Sequence, residues 1–171
     1  MAGYASITVH SNFGRVITAL KTKKHLEQAG QFVRSAAVLN APAESGHLRQ
    51  NILLDVKRDG EDLVAEISTS PAVRYAPFVE LGTGPKGFQN HEGISPNVNP
   101  TYSMSPWYIH ESMIDPGLAE KYHWQVFETK AGKFYRCYGQ PAHPFLYPAL
   151  HDHEQEVLRI LQDGYKKAMK G

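Results

Sequence analysis

The chain has 171 residues, 42% of them hydrophobic and 20% charged, enough apolar material for one ordinary domain and far from the composition that leaves chains disordered. Eighteen Lys and Arg against seventeen Asp and Glu give a formal net charge of +1. That balance removes any global electrostatic case for nucleic acid or an anionic membrane, and leaves room only for local contacts.

Few breakers occur from Phe13 to Asn40, where Val16, Leu20, Ala29, Phe32, Val33, Ala36 and Ala37 recur at helical steps, predicting a long amphipathic helix. Gly30 interrupts it and marks a bend or a close packing contact. The Asn40-Ala41-Pro42 step ends it, because proline disfavours helical backbone in the residue before it. After the loop APAESGH, Arg49 to Arg58 places Ile52, Leu54 and Val56 on one face at period two. Turn chemistry at Asp59-Gly60-Glu61-Asp62 then leads into alternating Leu63, Ala65 and Ile67, so the pair is read as an antiparallel hairpin.

Tyr75 to Gly84, YAPFVELGTG, predicts a strand end or a short helical turn closing on two glycines. From Pro85 to about Tyr122 the pattern dissolves into Pro, Asn, Gly and Ser, giving an irregular insertion over about 86–122. Its Tyr102, Trp107 and Tyr108 are candidate interface residues, since such rings are enriched where proteins meet; the alternative is that they cap the domain's own core. Trp124 to Glu128 and Lys133 to Tyr138 predict a second hairpin around Lys130-Ala131-Gly132. The stiff segment GQPAHPFLYPAL leads into a second amphipathic helix from about Pro148 to Lys170, carrying Ala149, Leu150, Val157, Leu158, Leu161 and Tyr165. The expected fold is α+β in a single domain over 1–171, a small antiparallel sheet covered by two terminal helices.

Reactive chemistry finds little support. Gly82-Thr83-Gly84-Pro85-Lys86-Gly87 has the G-x-G-x-x-G spacing, but a nucleotide site needs a helix directly after the glycines, and FQNHEGISPNVNP does not predict one. His151 and His153 stand two apart, so a helix would not bring them to one metal ion with Glu154. His110-Glu111 lacks the second histidine of a helical zinc motif, and Glu44, Ser45 and His47 are too close in one loop to build a triad. The lone Cys137 excludes an internal disulfide, fits a reducing cytoplasm and is read as small apolar packing within a strand. No run approaches the ~20 apolar residues of a membrane helix. MAGYASITVHSNFGRV also lacks the basic start and apolar core of an export signal. A protein soluble when made, with no membrane partner, catalytic residue, cofactor or bound metal, is expected.

Three segments in order, APAESGHLRQNI at Ala41 to Ile52, YAPFVELGTGP at Tyr75 to Pro85 and GQPAHPFLYPAL at Gly139 to Leu150, resemble a known pattern. It is that of the phage tail-component family, the neck and tail-completion proteins of tailed bacteriophages. The resemblance singles out Pro42, Gly46, Leu48, Ile52, Tyr75, Glu80, Gly82, Thr83, Gly84, Pro144, Phe145, Pro148 and Ala149 as structural positions. Physically, Pro42 stops the helix, Gly46 permits the turn, and Leu48 and Ile52 begin the strand's apolar face. Glu80 is the odd residue in an apolar run. It should pair with Arg49 or Arg74, or with backbone amides near Gly82 and Gly84, unless it is simply exposed at a strand end. The insertion over 86–122 is longer than the pattern leads one to expect.

The resemblance implies a structural protein of the virion, made in the host bacterial cytoplasm and built into the head-to-tail junction. There it would form a homo-oligomeric ring of about six or twelve copies. Its partners would be the adjacent connector or stopper and the tail-tube or tail-terminator proteins, with genomic DNA passing nearby. Lys21, Lys23, Lys24, Lys166 and Lys167 are candidates to lie near phosphates, or else form a solvated basic face. A tail-terminator ring subunit is the nearest alternative. A small metal-dependent hydrolase and a monomeric assembly module are rivals from other classes, tested by metal analysis and by the protein content of particles.

Overall fold

The computed structural model describes residues 5–9, 16–44, 46–60, 62–121 and 123–170, with side chains from Lys23 onward except those of 116, 118, 121 and 168–170. The first expected helix is α1, Val16–Asn40. Positions 13–15 and the side chains of Val16, Leu20 and Lys21 lie outside the description. Its inward stripe follows the predicted period, because Leu26, Ala29, Val33 and Ala37 are fully buried. Gly30 marks close packing: a Cβ there would meet Leu54 Cδ1 at 2.6 Å and Ala65 Cβ at 3.3 Å. The last turn of α1 leaves carbonyls without helical donors. Arg49 supplies them, its Nε donating to Ala41 O at 2.8 Å and its Nη2 to Leu39 O at 3.3 Å.

Gly46 takes the left-handed conformation at φ 66 and opens a short helix, α2 (His47–Gln50). Arg49 and Leu48 therefore lie on a helical turn and not on the strand, although Leu48 is buried as expected. The strand β2 begins at Ile52 and runs to Asp59, and β3 spans Asp62–Thr69. They pair antiparallel as predicted, from Ile52 opposite Thr69 to Asp59 opposite Asp62. A strand before α1, β1 (Ala5–Val9), was not expected; it pairs with β3 and makes it the central strand of a sheet ordered β1-β3-β2. Five residues with no turn linking them to their partner leave no local signal, because the pairing partner lies more than fifty positions away.

Tyr75 to Gly84 forms helix and not strand: α3 (Ala76–Leu81) is followed by α4 (Gly84–Gln89). The supposed irregular insertion also contains structure, namely α4, the strand β4 (Trp107–His110), a 3-10 turn at Glu111–Met113 and α5 (Pro116–Lys121). Residues 90–106 carry the irregular part. The second hairpin is β5 (Gln125–Thr129) with β6 (Gly132–Cys137), and β4 joins it to give a separate sheet ordered β4-β6-β5. The expected single sheet is thus two three-stranded sheets, and the α+β class stands.

The second amphipathic helix is broken into α6 (Tyr147–His151) and α7 (Glu154–Lys170). The break sets α6 beside the end of α3 while α7 runs antiparallel along α1. Phe32 lies edge-on to His153 at 5.4 Å, and Gly164 faces His25. Val157 is buried, whereas Leu158 and Tyr165, expected on the apolar face, point outward. The described core is one cluster of α1, α2, β2, β3, α3, α6 and α7 residues around Phe145, which is the largest fully buried side chain.

The α1–α7 crossing yields a direct test. A Cβ on Gly164 would stand 2.1 Å from His25 Cγ and 2.6 Å from His25 Cβ, atoms too near the α1 backbone to swing aside. Gly164→Ala should therefore destabilise by ~1–2 kcal/mol. Overpacking costs about 1–3 kcal/mol and outweighs the gain of up to ~1 kcal/mol that alanine brings to a helix. A urea midpoint equal to or above the parent's would show that the helices separate at no cost.

Candidate functional site

The three motif segments converge at one joint, and Glu80 is its centre. Its residue is 5% exposed on α3. One carboxylate oxygen, Oε2, accepts from Phe145 N–H at 2.7 Å and Leu146 N–H at 3.0 Å, and Oε1 accepts from Tyr147 N–H at 3.0 Å. These are the amides that open α6, where no preceding turn can supply acceptors and where a negative charge suits the helix dipole. Of the partners expected for Glu80, arginine is wrong and backbone amides right, but they belong to 145–147 and not to Gly82 and Gly84. Simple exposure is excluded by its burial. Arg49 is spent on the end of α1, and Arg74 is exposed.

A strap, Tyr138 to His143, crosses the α3–α4 corner and completes the joint. Thr83 N–H donates to Gln140 O at 2.9 Å and Gln140 N–H returns to Thr83 O at 3.1 Å, a two-residue antiparallel bridge. Gln140 Nε2 donates to Phe78 O at 2.9 Å, the amide of His143 to Val79 O at 2.8 Å, and His143 Nε2 lies 3.2 Å from Asn40 O. The strap therefore ties α3 to the end of α1. Glycine is required where backbones touch: a Cβ on Gly82 would stand 2.7 Å from Ala142 N, and one on Gly84 2.8 Å from Tyr138 O.

This geometry also decides the G-x-G-x-x-G reading, though not for the reason expected. A helix does follow the glycines, since α4 begins at Gly84. Its amides are already occupied: Thr83 N–H goes to Gln140 O, Lys86 N–H to Tyr138 O and Gly87 N–H to Thr83 O. A phosphate would have to displace these three bonds to use the amides.

The other sequence candidates scatter. His151 stacks on Tyr147 at 5.0 Å while His153 packs against Phe32, so the two rings face different neighbours. His110 lies 3.0 Å from Ala131 O and Glu111 accepts from Lys133 N–H at 3.0 Å, both bracing the β5–β6 turn. Ser45 lies outside the described residues. Among those described, no three of His, Cys, Asp and Glu form a group able to hold a metal ion, and no helix is long and apolar enough to cross a membrane. Cys137 is buried at the end of β6. The lysines Lys23, Lys24, Lys166 and Lys167 fall at one end of the α1–α7 pair, because His25 meets Gly164 there; Lys23 lies 3.8 Å from Glu27.

Of the aromatic interface candidates, Tyr102 serves its own domain. It stacks with His91 at 5.6 Å and donates its hydroxyl to Leu81 O at 2.7 Å. Burial pushes the Tyr102 phenol above its ordinary value, so as pH rises past about 10 the unfolded chain ionises first and this contribution to stability declines. Tyr102→Phe should cost ~1 kcal/mol at neutral pH. That deficit should shrink above pH ~10 in urea titrations; a constant deficit would remove the linkage. Trp107 and Tyr108 differ from Tyr102, being 38% and 54% exposed on β4. Sequence reasoning missed Gly139, Gln140 and His143, whose only signal was polar residues inside a proline-rich segment.

Residues 9–82 match the family described as "Bacteriophage HK97-gp10, putative tail-component". The match ends at Gly82, at the corner the strap crosses, so the third motif segment and the second sheet lie beyond it. No curated protein and no solved structure matches the chain.

Proposed function

We propose that this chain, whose residues 9–82 match the phage tail-component family, is a neck or tail-completion subunit of the virion's head-to-tail junction. It acts as a homo-oligomeric ring of about six or twelve copies, since cyclic closure satisfies head-to-tail contacts without an open end. The ring joins the connector or stopper on one side to the tail-tube or tail-terminator protein on the other. The family match carries this reading. The site geometry supports it: the buried polar groups of the motif residues are spent on holding the fold, as expected of a part whose work is done by its surfaces. Lys23, Lys24, Lys166 and Lys167 give the end of the α1–α7 pair a charge that suits DNA phosphates passing through such a ring.

Mass spectrometry of purified particles should find the chain in the virion, and an electron-microscopy map of the intact neck should show it as a closed ring. Absence from particles would overturn the structural role in favour of a monomeric assembly module. A second check uses the chain segment 90–106, which has no Lys or Arg and is therefore probed with a glutamate-specific protease at the exposed Glu92. Cleavage should be fast in free subunits and slow in particles; equal rates would take this segment out of any contact.

A further inference from the structure

The second sheet is built on very little interior. From Trp107 to Cys137 the only described residues that are buried are Ala119 and Cys137, whereas the first sheet buries Ile52, Leu63, Ala65 and Ile67. All five residues of β5 are exposed, including Val126 and Phe127, whose side chains point to opposite faces. No helix packs along this sheet as α1 packs along β2 and β3. The core cluster likewise takes no residue from the stretch between Val79 and Phe145.

What holds the second sheet is its own pairing, aided by rings that meet across strands. Tyr108 lies edge-on to Phe127 at 5.6 Å and His110 to Phe134 at 5.0 Å, contacts that stabilise a strand pair but supply no buried layer. The central strand also carries a cost, because Arg136 Nε is buried with no hydrogen-bond partner. Three strands with neither face covered are marginal by themselves. Two ties to the rest of the chain meet at one corner: the Trp107 ring lies on Gly84, and Tyr138 O accepts from Lys86 N–H at 3.1 Å.

From this contrast in burial we infer that β4, β5 and β6 form a separately opening unit, which loses its strand pairing while the body around Phe145 stays folded. Segments with few buried apolar contacts open at free energies below that of global unfolding. Glu80 and the three amides it holds belong to the body, so the sheet opens and closes with that joint in place. The unit lies beyond the family match, which ends at Gly82. The inference concerns the chain's own stability and does not rest on the ring reading.

The test is native-state hydrogen exchange on the purified full chain, read peptide by peptide. The slowest amides of β6 should be protected on the order of a hundredfold less than those of β3. Low urea should separate them further. Protection in β3 should fall steeply, because exposing it unfolds the whole core, while protection in β6 should change little, because its opening exposes little surface. Trp107→Ala removes the ring that lies on Gly84; it should lower β6 protection by about a further tenfold and leave β3 within about twofold of the parent. Exchange of β6 and β3 at one rate with one urea dependence would overturn the inference, as would a Trp107→Ala loss that reaches β3 in equal measure. Either result would leave the ring reading untouched, since the measurement needs no assembly.

Discussion

Glu80→Ala is expected to lower the thermal midpoint by about 10 °C, corresponding to roughly 3 kcal/mol for a domain of this size. The substitution strands three amides, those of Phe145, Leu146 and Tyr147, at a buried helix start beside the fully buried Phe145. Those of Phe145 and Leu146 are buried and have no water to turn to. Glu80→Gln should cost less, ~1–2 kcal/mol, because an amide oxygen in the Oε2 position still accepts from Phe145 and Leu146 and only the Tyr147 bond is lost. Hydrogen exchange locates the effect. The amides of 145–147 should lose protection in Glu80→Ala while those of the central strand β3 keep theirs. A loss below ~0.5 kcal/mol for the alanine variant would mean that α6 starts without help from α3, and that the three motif segments are not one mechanical unit.

Gly139→Ala should be more damaging still, by more than ~4 kcal/mol, a large share of the 5–15 kcal/mol that stabilises an ordinary domain. Gly139 combines a left-handed φ of 81 with a backbone crossing so close that a Cβ would lie 1.9 Å from Thr83 O. Neither atom belongs to a side chain that can rotate away. The strap would have to lift, taking with it the bridge to Thr83 and the tie from His143 to Asn40. Gly60→Ala is the control, since it has φ 60 but open space around it and should cost only about 1 kcal/mol. Equal urea midpoints for the two variants would show that conformation alone, and not the crossing, makes glycine necessary at 139.

Much of the architecture was legible because its signals are local. The period of Ala29, Val33 and Ala37 described α1, the alternation of Leu63, Ala65 and Ile67 described β3, and Gly60 and Gly132 marked the two turns. What escaped was held by partners distant in the chain. The strands β1 and β4 are short and pair across long sequence separations, and α4, with the poor helix formers Gly84, Pro85 and Gly87, forms because its amides find Tyr138 and Thr83. The break between α6 and α7 likewise serves two docking surfaces, α3 and α1, that no helical period within 147–170 encodes.

The same division runs through the site. By itself the sequence determined that Glu80 is anomalous, that glycines crowd the corner after it and that a proline-stiffened segment enters the last helix, because those properties belong to side-chain chemistry and to allowed φ angles. Only the tertiary structure decided that the carboxylate seizes the first amides of α6 and that the strap takes the Thr83 and Lys86 donors a phosphate would use. Those outcomes depend on distances between segments sixty residues apart, such as Glu80 and Phe145, and burial sets their energetic weight: a hydrogen bond worth little in water becomes costly to leave unmade once water is excluded.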